Sequence, residues 1–483
     1  MRLSAIFAGL CLAVLLAPVA LNAYPPFVDY PNHLARLFIL ANPGDPVLSR
    51  YYRIEWALIP NLGFDLIGLA LAQIMPVETA GRVFVGLVIA VSFSAPMALH
   101  RALYGRISVL PLLAGPLVFH RALQMGFLSF SLGLGLAIWG VALWHGLRGL
   151  GPWVRFALVQ AMALVLFICH LYALGIFAVF VLLSAISTAW RGGAIRAALP
   201  EALAFLLPFI LLLAGPSGDG TGAIVFRGPA EKLAMLALAL LPGLSVAHFV
   251  LALAALSPVI LARPWGGRMV HPAMRWPLAA LFLLYWLLPD RLMTSQNADW
   301  RLIAPLGLVL AAAAEGPMGR PRTAIALGLA AVILNTGAAI LADRAWRASD
   351  QVFGDLATVL ERLPEGRELV PYPTRAAITT AFQPPAALHA AAYAVTARRA
   401  PVPTVFAHRG QQPIELAAPG RALWQDWLAQ GANRSPDAGL LTASDGYVLA
   451  IRAAGERPEA TALPVDGETV SESGRFTLYR LRR

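Results

Sequence analysis

The sequence predicts a mostly α-helical, polytopic membrane protein with about 11 transmembrane helices, a long first external loop and a small C-terminal α/β soluble domain. Three observations predict it. Apolar residues make up 58% of the chain and charged residues 13%, with a mean hydropathy of +0.68, outside the range of soluble globular chains. Apolar runs able to cross about 30 Å of hydrocarbon recur near residues 4–21, 80–99, 107–120, 126–147, 155–170, 172–190, 198–214, 244–262, 275–289, 300–315 and 322–342. Charge is segregated, with 16 Arg and 14 Asp or Glu in residues 344–483 against 21 basic and 12 acidic residues in 1–343. The expected division is a membrane domain, 1–343, with its first external loop at 22–79, followed by a soluble domain, 344–483.

The first run ends in "APVALNAYPP", and a cut after Ala23 would place Leu21 at the −3 position, against the small-residue rule. It reads as a retained signal anchor. The run 62–75 has 14 residues and carries Asp65. Burying that acid at a helix centre would cost about 2.5–3.5 kcal/mol, so the run reads as a re-entrant or surface helix. The segment 231–262, broken by Pro242-Gly243, reads as two spans or as one span and a surface helix.

With Arg2 inside, the cytoplasmic turns collect Arg101, Arg106, Arg148, Arg155, Arg191, Arg196, Arg263, Arg268, Arg275, Arg320 and Arg322. That is twelve basic residues against two acids, Glu201 and Glu315, as the positive-inside rule requires. The other side holds nine basic residues and ten acids: Asp29, Asp45, Glu55, Asp65, Glu78, Asp219, Glu231, Asp290, Asp299 and Asp343. The expected location is a bacterial inner membrane, multi-pass, with a cytoplasmic N-terminus and a periplasmic C-terminal domain. Lys232 is the single lysine among 37 basic residues, a mark of a GC-rich bacterial genome. The net charge of +11 follows from this topology and implies no nucleic-acid partner. Cys11 and Cys169 lie inside apolar runs, which excludes a disulfide framework and a Cys-based metal site.

In the soluble domain, "ELVPY", "YVLAIR" and "RFTLYRL" read as strands, and "PAALHAAAYAVTARR" and "RALWQDWLAQ" as helices. The loop "RRAPVPTVFAHRGQQP", with His408 and Arg409, is placed to close over the membrane domain. There is no Gly-rich phosphate loop, HExxH motif or internal repeat.

The topology brings four polar segments to one face. "PPFVDYPNHLARLF" holds Asp29, Asn32, His33 and Arg36; "FHRALQMGF" holds His120, Arg121 and Gln124; "ICHLYALG" holds His170 and Tyr172; "PDRLMTSQNADWRLIAP" holds Asp290, Arg291, Gln296, Asp299 and Arg301. Pro31 suits the first position of a helix on which His33 and Arg36 share a face, as do Asn32 and Arg36. Carboxylates that take protons, beside Arg and His that neutralise phosphate, suit a lipid-phosphate substrate. Each residue also has a plainer reading. Asp29 suits the positive end of the helix after it, His33 and Arg36 an interface, and His170 with Tyr172 a span end. Asp299 and Arg301 suit a structural ion pair, and Glu55 and Asp65 a solvated surface or a second acid or metal ligand.

These residues carry a resemblance. One span, a long external loop with Asp29 in "VDYPNHLAR" directly after it, about ten further spans and an external C-terminal domain resemble the glycosyltransferase C superfamily, the polyprenyl-phosphate-sugar-dependent membrane glycosyltransferases. "ADWRLIAP", 298–305, is similar to the acid-and-Arg segment entering a late span in mannosyltransferase-like members. The chain departs from better-known branches. It has no adjacent pair of acids in the first loop and no Trp-Trp-Asp motif in the C-terminal domain.

The resemblance implies a sugar transferred with inversion from a polyprenyl-phosphate donor to an acceptor hydroxyl of a lipid, polysaccharide or protein. Asp29 would be the general base. Asn32, His33, Arg36, His120, Arg121, His170, Tyr172, Asp299 and Arg301 would be the substrate-binding set. No cofactor is named by the sequence, no metal ligands are assigned, and a Mg²⁺ or Mn²⁺ requirement stays open. Two other classes fit the composition: a lipid or polysaccharide transporter or flippase, and a non-catalytic scaffold of envelope assembly with the same fold. The near absence of charge inside the spans counts against the transporter.

Overall fold

The structure, a computed structural model, describes every residue except 1, 193–194, 217–222, 241–244, 264–266, 293–294, 317–320, 380–384, 431–433, 445, 462 and 483. Asp219, Pro242, Gly243 and Arg320 of the sequence reading therefore lie outside the described residues. Among those described, six helices are long and apolar enough to cross a membrane: Leu3–Leu21, Val77–Tyr104, Leu128–Gly146, Pro152–Cys169, Leu171–Trp190 and Pro321–Leu360. Shorter apolar helices at Gly63–Ala72, Leu199–Ala214, Val246–Ala255 and Trp300–Ala313 complete the layer. The chain is a multi-pass, mostly helical membrane protein.

The Leu128–Gly146 helix sits at the centre. Its Gly133, Gly135 and Gly140 leave no room for a Cβ against Ala173, Val91 and Met162 respectively, so three neighbouring elements approach its backbone closely. The apolar run 107–120 differs from a simple span. It forms a buried 3₁₀ helix, Leu110–Phe119, interrupted by Pro111 and Pro116 and held by Asn335 Nδ2 donating to Leu112 O at 3.0 Å. Proline removes the donors a longer α-helix would need. The run 62–75 becomes the ten-residue helix Gly63–Ala72, about 15 Å of rise and too short to span.

Pro321–Leu360 is continuous over 40 residues, about 60 Å, twice the hydrocarbon thickness. It runs without a break through the expected boundary at 343/344 and carries its last turns into the C-terminal region. The start of the segment after the first apolar helix is tied to it. Asn22 Nδ2 donates to Asp343 Oδ1 at 2.9 Å, Tyr24 N donates to Asp350 Oδ1 at 2.7 Å, and the Phe27 ring stands edge-on to Trp346 at 5.7 Å.

The C-terminal domain has a four-stranded sheet. In chain order the strands are β1 (Tyr52–Ile54), β2 (Leu369–Pro373), β3 (Ile414–Leu416), β4 (Tyr447–Ile451), β5 (Gly467–Ser473) and β6 (Phe476–Leu481). The sheet order is β2-β4-β6-β5, with β2 and β4 parallel and the other pairs antiparallel. β1, from the segment between the first two long apolar helices, pairs antiparallel with β3. Tyr52 reinforces this: its hydroxyl donates to Val402 O at 2.6 Å and accepts from Val402 N at 2.9 Å. The first loop and the C-terminal domain therefore build one layer above the membrane helices.

The two ends of the helical layer differ in their polar contacts. At one end Arg106 meets Glu315 at 3.8 Å and Arg155 meets Glu201 at 3.1 Å. These are the two acids that the sequence places among the basic turns. The polar segments around residues 29, 125, 170 and 301 gather at the other end, beneath the C-terminal domain.

Candidate functional site

The quoted segment at 25–38 forms a short approach and the helix Tyr30–Ala41, with Pro31 in its first turn. Asp29 occupies the N-cap position, yet its side chain accepts no capping hydrogen bond. Its place is fixed by backbone. Val28 N donates to Gln124 O at 3.0 Å and Asp29 N to Met125 O at 3.2 Å. Residue 126 must be glycine here, because its φ is +84° and a Cβ would lie 2.7 Å from Asp29 N.

One turn along, His33 Nε2 donates to Gly126 O at 2.9 Å while its Nδ1 accepts from Arg36 Nη2 at 3.0 Å. Accepting at Nδ1 while donating from Nε2 requires the neutral imidazole with its proton on Nε2, and burial with the adjacent Arg36 charge holds its pKa well below the usual range. Arg36 is fully buried and grips Asp65 with two bonds, Nε to Oδ1 at 2.5 Å and Nη2 to Oδ2 at 3.1 Å. This corrects the solvated-surface reading of Asp65, whose helix packs its first turn inward beneath Tyr30–Ala41. It equally removes Arg36 from the lipid interface. Glu55 is exposed and meets Arg53 at 2.8 Å.

Asp29 Oδ1 lies 3.6 Å from His389 Nε2. His389 sits at a kink in the segment Pro385–Ala392, with φ −109° and ψ 21°. Burial raises the Asp29 carboxyl to about 7, opposed by the Arg301 and Arg36 guanidiniums. Burial lowers His389 to about 4, so its ring is neutral at pH 7. Phe406, from the Pro-containing loop, packs edge-on to His389 at 5.2 Å and to His33 at 6.5 Å. His408 follows at 6.5 Å from Phe406, and Arg409 is exposed.

Arg301 is buried among rings, 4.1 Å from the Phe127 centroid and 5.1 Å from that of Tyr172. Its Nη2 donates to Gln296 O at 2.9 Å and its Nη1 to His170 Nε2 at 3.4 Å. His170 Nδ1 in turn accepts from Tyr172 N at 3.1 Å, capping the next helix. The expected Asp299–Arg301 ion pair does not form. Asp299 lies 3.6 Å from Lys232 Nζ and 3.7 Å from Arg227 Nε, and accepts from Trp300 N at 2.8 Å. Lys232 also donates to the carbonyls of Tyr285, Trp286 and Leu288, so this cluster is a strut between helices.

The segment 120–126 serves through its backbone. His120 is buried and caps its own turn, accepting from Leu123 N at 3.3 Å, and Arg121 N donates to Ala239 O at 3.1 Å. Asn32 is buried, and neither its Oδ1 nor its Nδ2 has a partner among the described residues; the same holds for Arg36 Nη1, Arg301 Nε and His389 Nδ1.

Asp29, His33, Arg36, His170, Tyr172 and Arg301 thus share one buried polar region, and Asp299, His120 and Arg121 stand apart in their side-chain contacts. The sequence reading missed His389 and Phe406. The available signal was a single imidazole in the apolar stretch "PAALHAAAYAV". A carboxyl titrating near neutrality, with a neutral imidazole and two guanidiniums around it, can take a proton at pH 7 while the cations stabilise a nearby anion.

No family model and no curated protein sequence matches this chain. Among solved structures, apo ArnT from Cupriavidus metallidurans is similar over 98% of this chain and 97% of that one, with a TM-score of 0.56 and 12% identity. At that identity the likeness establishes the fold alone. The polytopic helical architecture expected from the sequence is therefore that of this chain, an ArnT-like membrane fold.

Proposed function

We propose that this protein transfers a sugar from a polyprenyl-phosphate donor to an acceptor hydroxyl at the outer face of a bacterial inner membrane. Asp29 takes the hydroxyl proton as the acceptor oxygen bonds to the anomeric carbon from the face opposite the leaving group. The bond from that carbon to the phosphate oxygen breaks, inverting the centre, and the polyprenyl phosphate departs as an anion. Arg36 and Arg301 offset its charge. His33 holds Arg36 in place through its Nδ1, and His170 does the same for Arg301 through Nε2. The observation carrying this reading is the Asp29 carboxyl, uncapped, largely but not fully enclosed, and raised to about 7 beside two guanidiniums and a neutral imidazole.

The buried donors of Arg36 Nη1, Arg301 Nε and Asn32 Nδ2, without partners among the described residues, support the same reading. Leaving such groups unpaired costs about 1–3 kcal/mol each, and phosphate or sugar oxygens would pair them. Among the described residues no group of three or more His, Cys, Asp or Glu is placed to hold a metal ion, so no step is written through Mg²⁺ or Mn²⁺.

The test is Asp29→Asn in protein reconstituted with polyprenyl-phosphate sugars. The variant is expected to fold, bind donor and lose transfer. Wild-type turnover in it removes Asp29 from the role of base, and absence of transfer by the wild type with every donor favours the scaffold reading.

A further inference from the structure

A cleft of about 180 Å³ opens between the first external loop and the C-terminal domain, lined by Arg53, Glu55, Trp56, Arg409, Gln412 and Glu415 among others. We infer that this cleft binds a neutral sugar ring of the acceptor, so that the hydroxyl receiving the transferred sugar belongs to a glycan. The inference rests on the transferase reading for the word acceptor. The binding it asserts stands by itself.

Four features of the cleft carry it. Trp56 is 48% exposed, although the backbone around it is fixed by the β1–β3 pairing and by Glu55 N donating to Pro413 O at 2.9 Å. A large ring held rigidly at the water side offers a flat apolar face, and the C–H face of a pyranose stacks on such a surface while its hydroxyls point away. The polar lining consists of planar groups, two carboxylates, two guanidiniums and the Gln412 amide, which pair with the vicinal hydroxyls of a sugar ring. Gln412 Oε1 is buried with no partner among the described residues, leaving one acceptor aimed at no protein donor. The volume falls below the roughly 300–1,000 Å³ of drug-sized ligand sites and suits a single ring.

Charge selects the ligand further. Arg53 pairs with Glu55 at 2.8 Å and also with Glu415. With Arg409 the four charges lining the cleft cancel, so a phosphate or an acidic peptide gains nothing there, whereas a neutral polyol meets donors and acceptors in balance. The same argument separates the acceptor from the donor, whose phosphate is drawn to Arg36 and Arg301. Both walls lead to the Asp29 region. Arg409 is three residues beyond Phe406, which packs on His33 and His389, and the other wall continues to Leu62, whose N donates to Ile168 O at 2.8 Å, two residues before His170.

The experiment is saturation-transfer NMR on the full-length protein in nanodiscs, with methyl pyranosides of glucose, galactose, mannose and N-acetylglucosamine and their disaccharides. At least one of these is expected to bind, with affinity lowered tenfold or more in Trp56→Ala and several-fold in Arg409→Ala. Binding is expected to persist in Asp29→Asn, which separates this proposal from the identity of the base. Absence of binding by the whole panel, or equal binding by the wild type and both cleft variants, overturns the proposal. A glycoside displaced by a polyprenyl-phosphate-linked sugar assigns the cleft to the donor and overturns it too.

Discussion

His389 brings its Nε2 to 3.6 Å from Asp29 Oδ1 across 360 positions of the chain. The C-terminal region therefore supplies a side chain to a carboxylate in the segment that follows the first apolar helix. His389 is buried and Asp29 largely enclosed, and loss of water pushes their protons in opposite directions: the acid up to about 7 and the imidazole down to about 4. At pH 7 the pair is a partly ionised acid beside a neutral donor.

Transfer is expected to follow the ionised fraction of Asp29. The rate at low substrate should rise about tenfold per pH unit on the acid side and level off above about 7. The same shift has a stability consequence. The folded state holds this proton more tightly than the unfolded chain, where Asp titrates at about 3.9. Stability of the wild type relative to Asp29→Asn should therefore fall as pH rises from about 4 to 7 and stay level above that. Thermal unfolding of both proteins across this range measures it, and a rising difference contradicts the assignment.

His389→Ala should move the acid limb of that rate profile to higher pH, because a neutral N–H beside the carboxylate stabilises its ionised form. His389→Gln, which restores a donor, should return the limb part of the way. Equal profiles for all three proteins would leave His389 a packing residue only.

Replacing Asp65 alone by Leu strands the buried Arg36 charge and should cost about 3–5 kcal/mol, measured as a loss in unfolding free energy. Changing both partners, Arg36→Met with Asp65→Leu, should recover most of that loss while leaving transfer absent. The recovery would identify the pair as a positioning device for Arg36 and His33 rather than a net source of stability.

Gly126→Ala should reduce transfer at least tenfold, since the added methyl collides with the Asp29 backbone. The left-handed conformation alone costs about 1–2 kcal/mol. Gly105→Ala is the control. Gly105 also has positive φ, at +68°, but nothing within 4 Å of an added Cβ, so it should lose comparable stability and keep wild-type transfer.

The sequence by itself determined the class of the protein. Composition and apolar length identify a helical membrane protein, because hydrocarbon tolerates only backbone whose hydrogen bonds close locally, and arginine counts separate the two ends of the layer. Local order in "VDYPNHLAR" also placed the helix start to within one residue, Tyr30 instead of Pro31, and gave the shared face of His33 and Arg36, since these depend on neighbours three and four residues away. Tertiary structure decided the rest. Asp65 was legible only as an acid in a short apolar run, and its meaning came from Arg36 on another helix. Asp299 and Arg301, two residues apart, were drawn to Lys232 and to a set of aromatic rings that no spacing rule connects to them. His389 and Phe406 reached Asp29 because β1 pairs with β3 and folds the C-terminal domain onto the first loop. Contacts of that range depend on which surfaces bury together, and a one-dimensional pattern does not encode them.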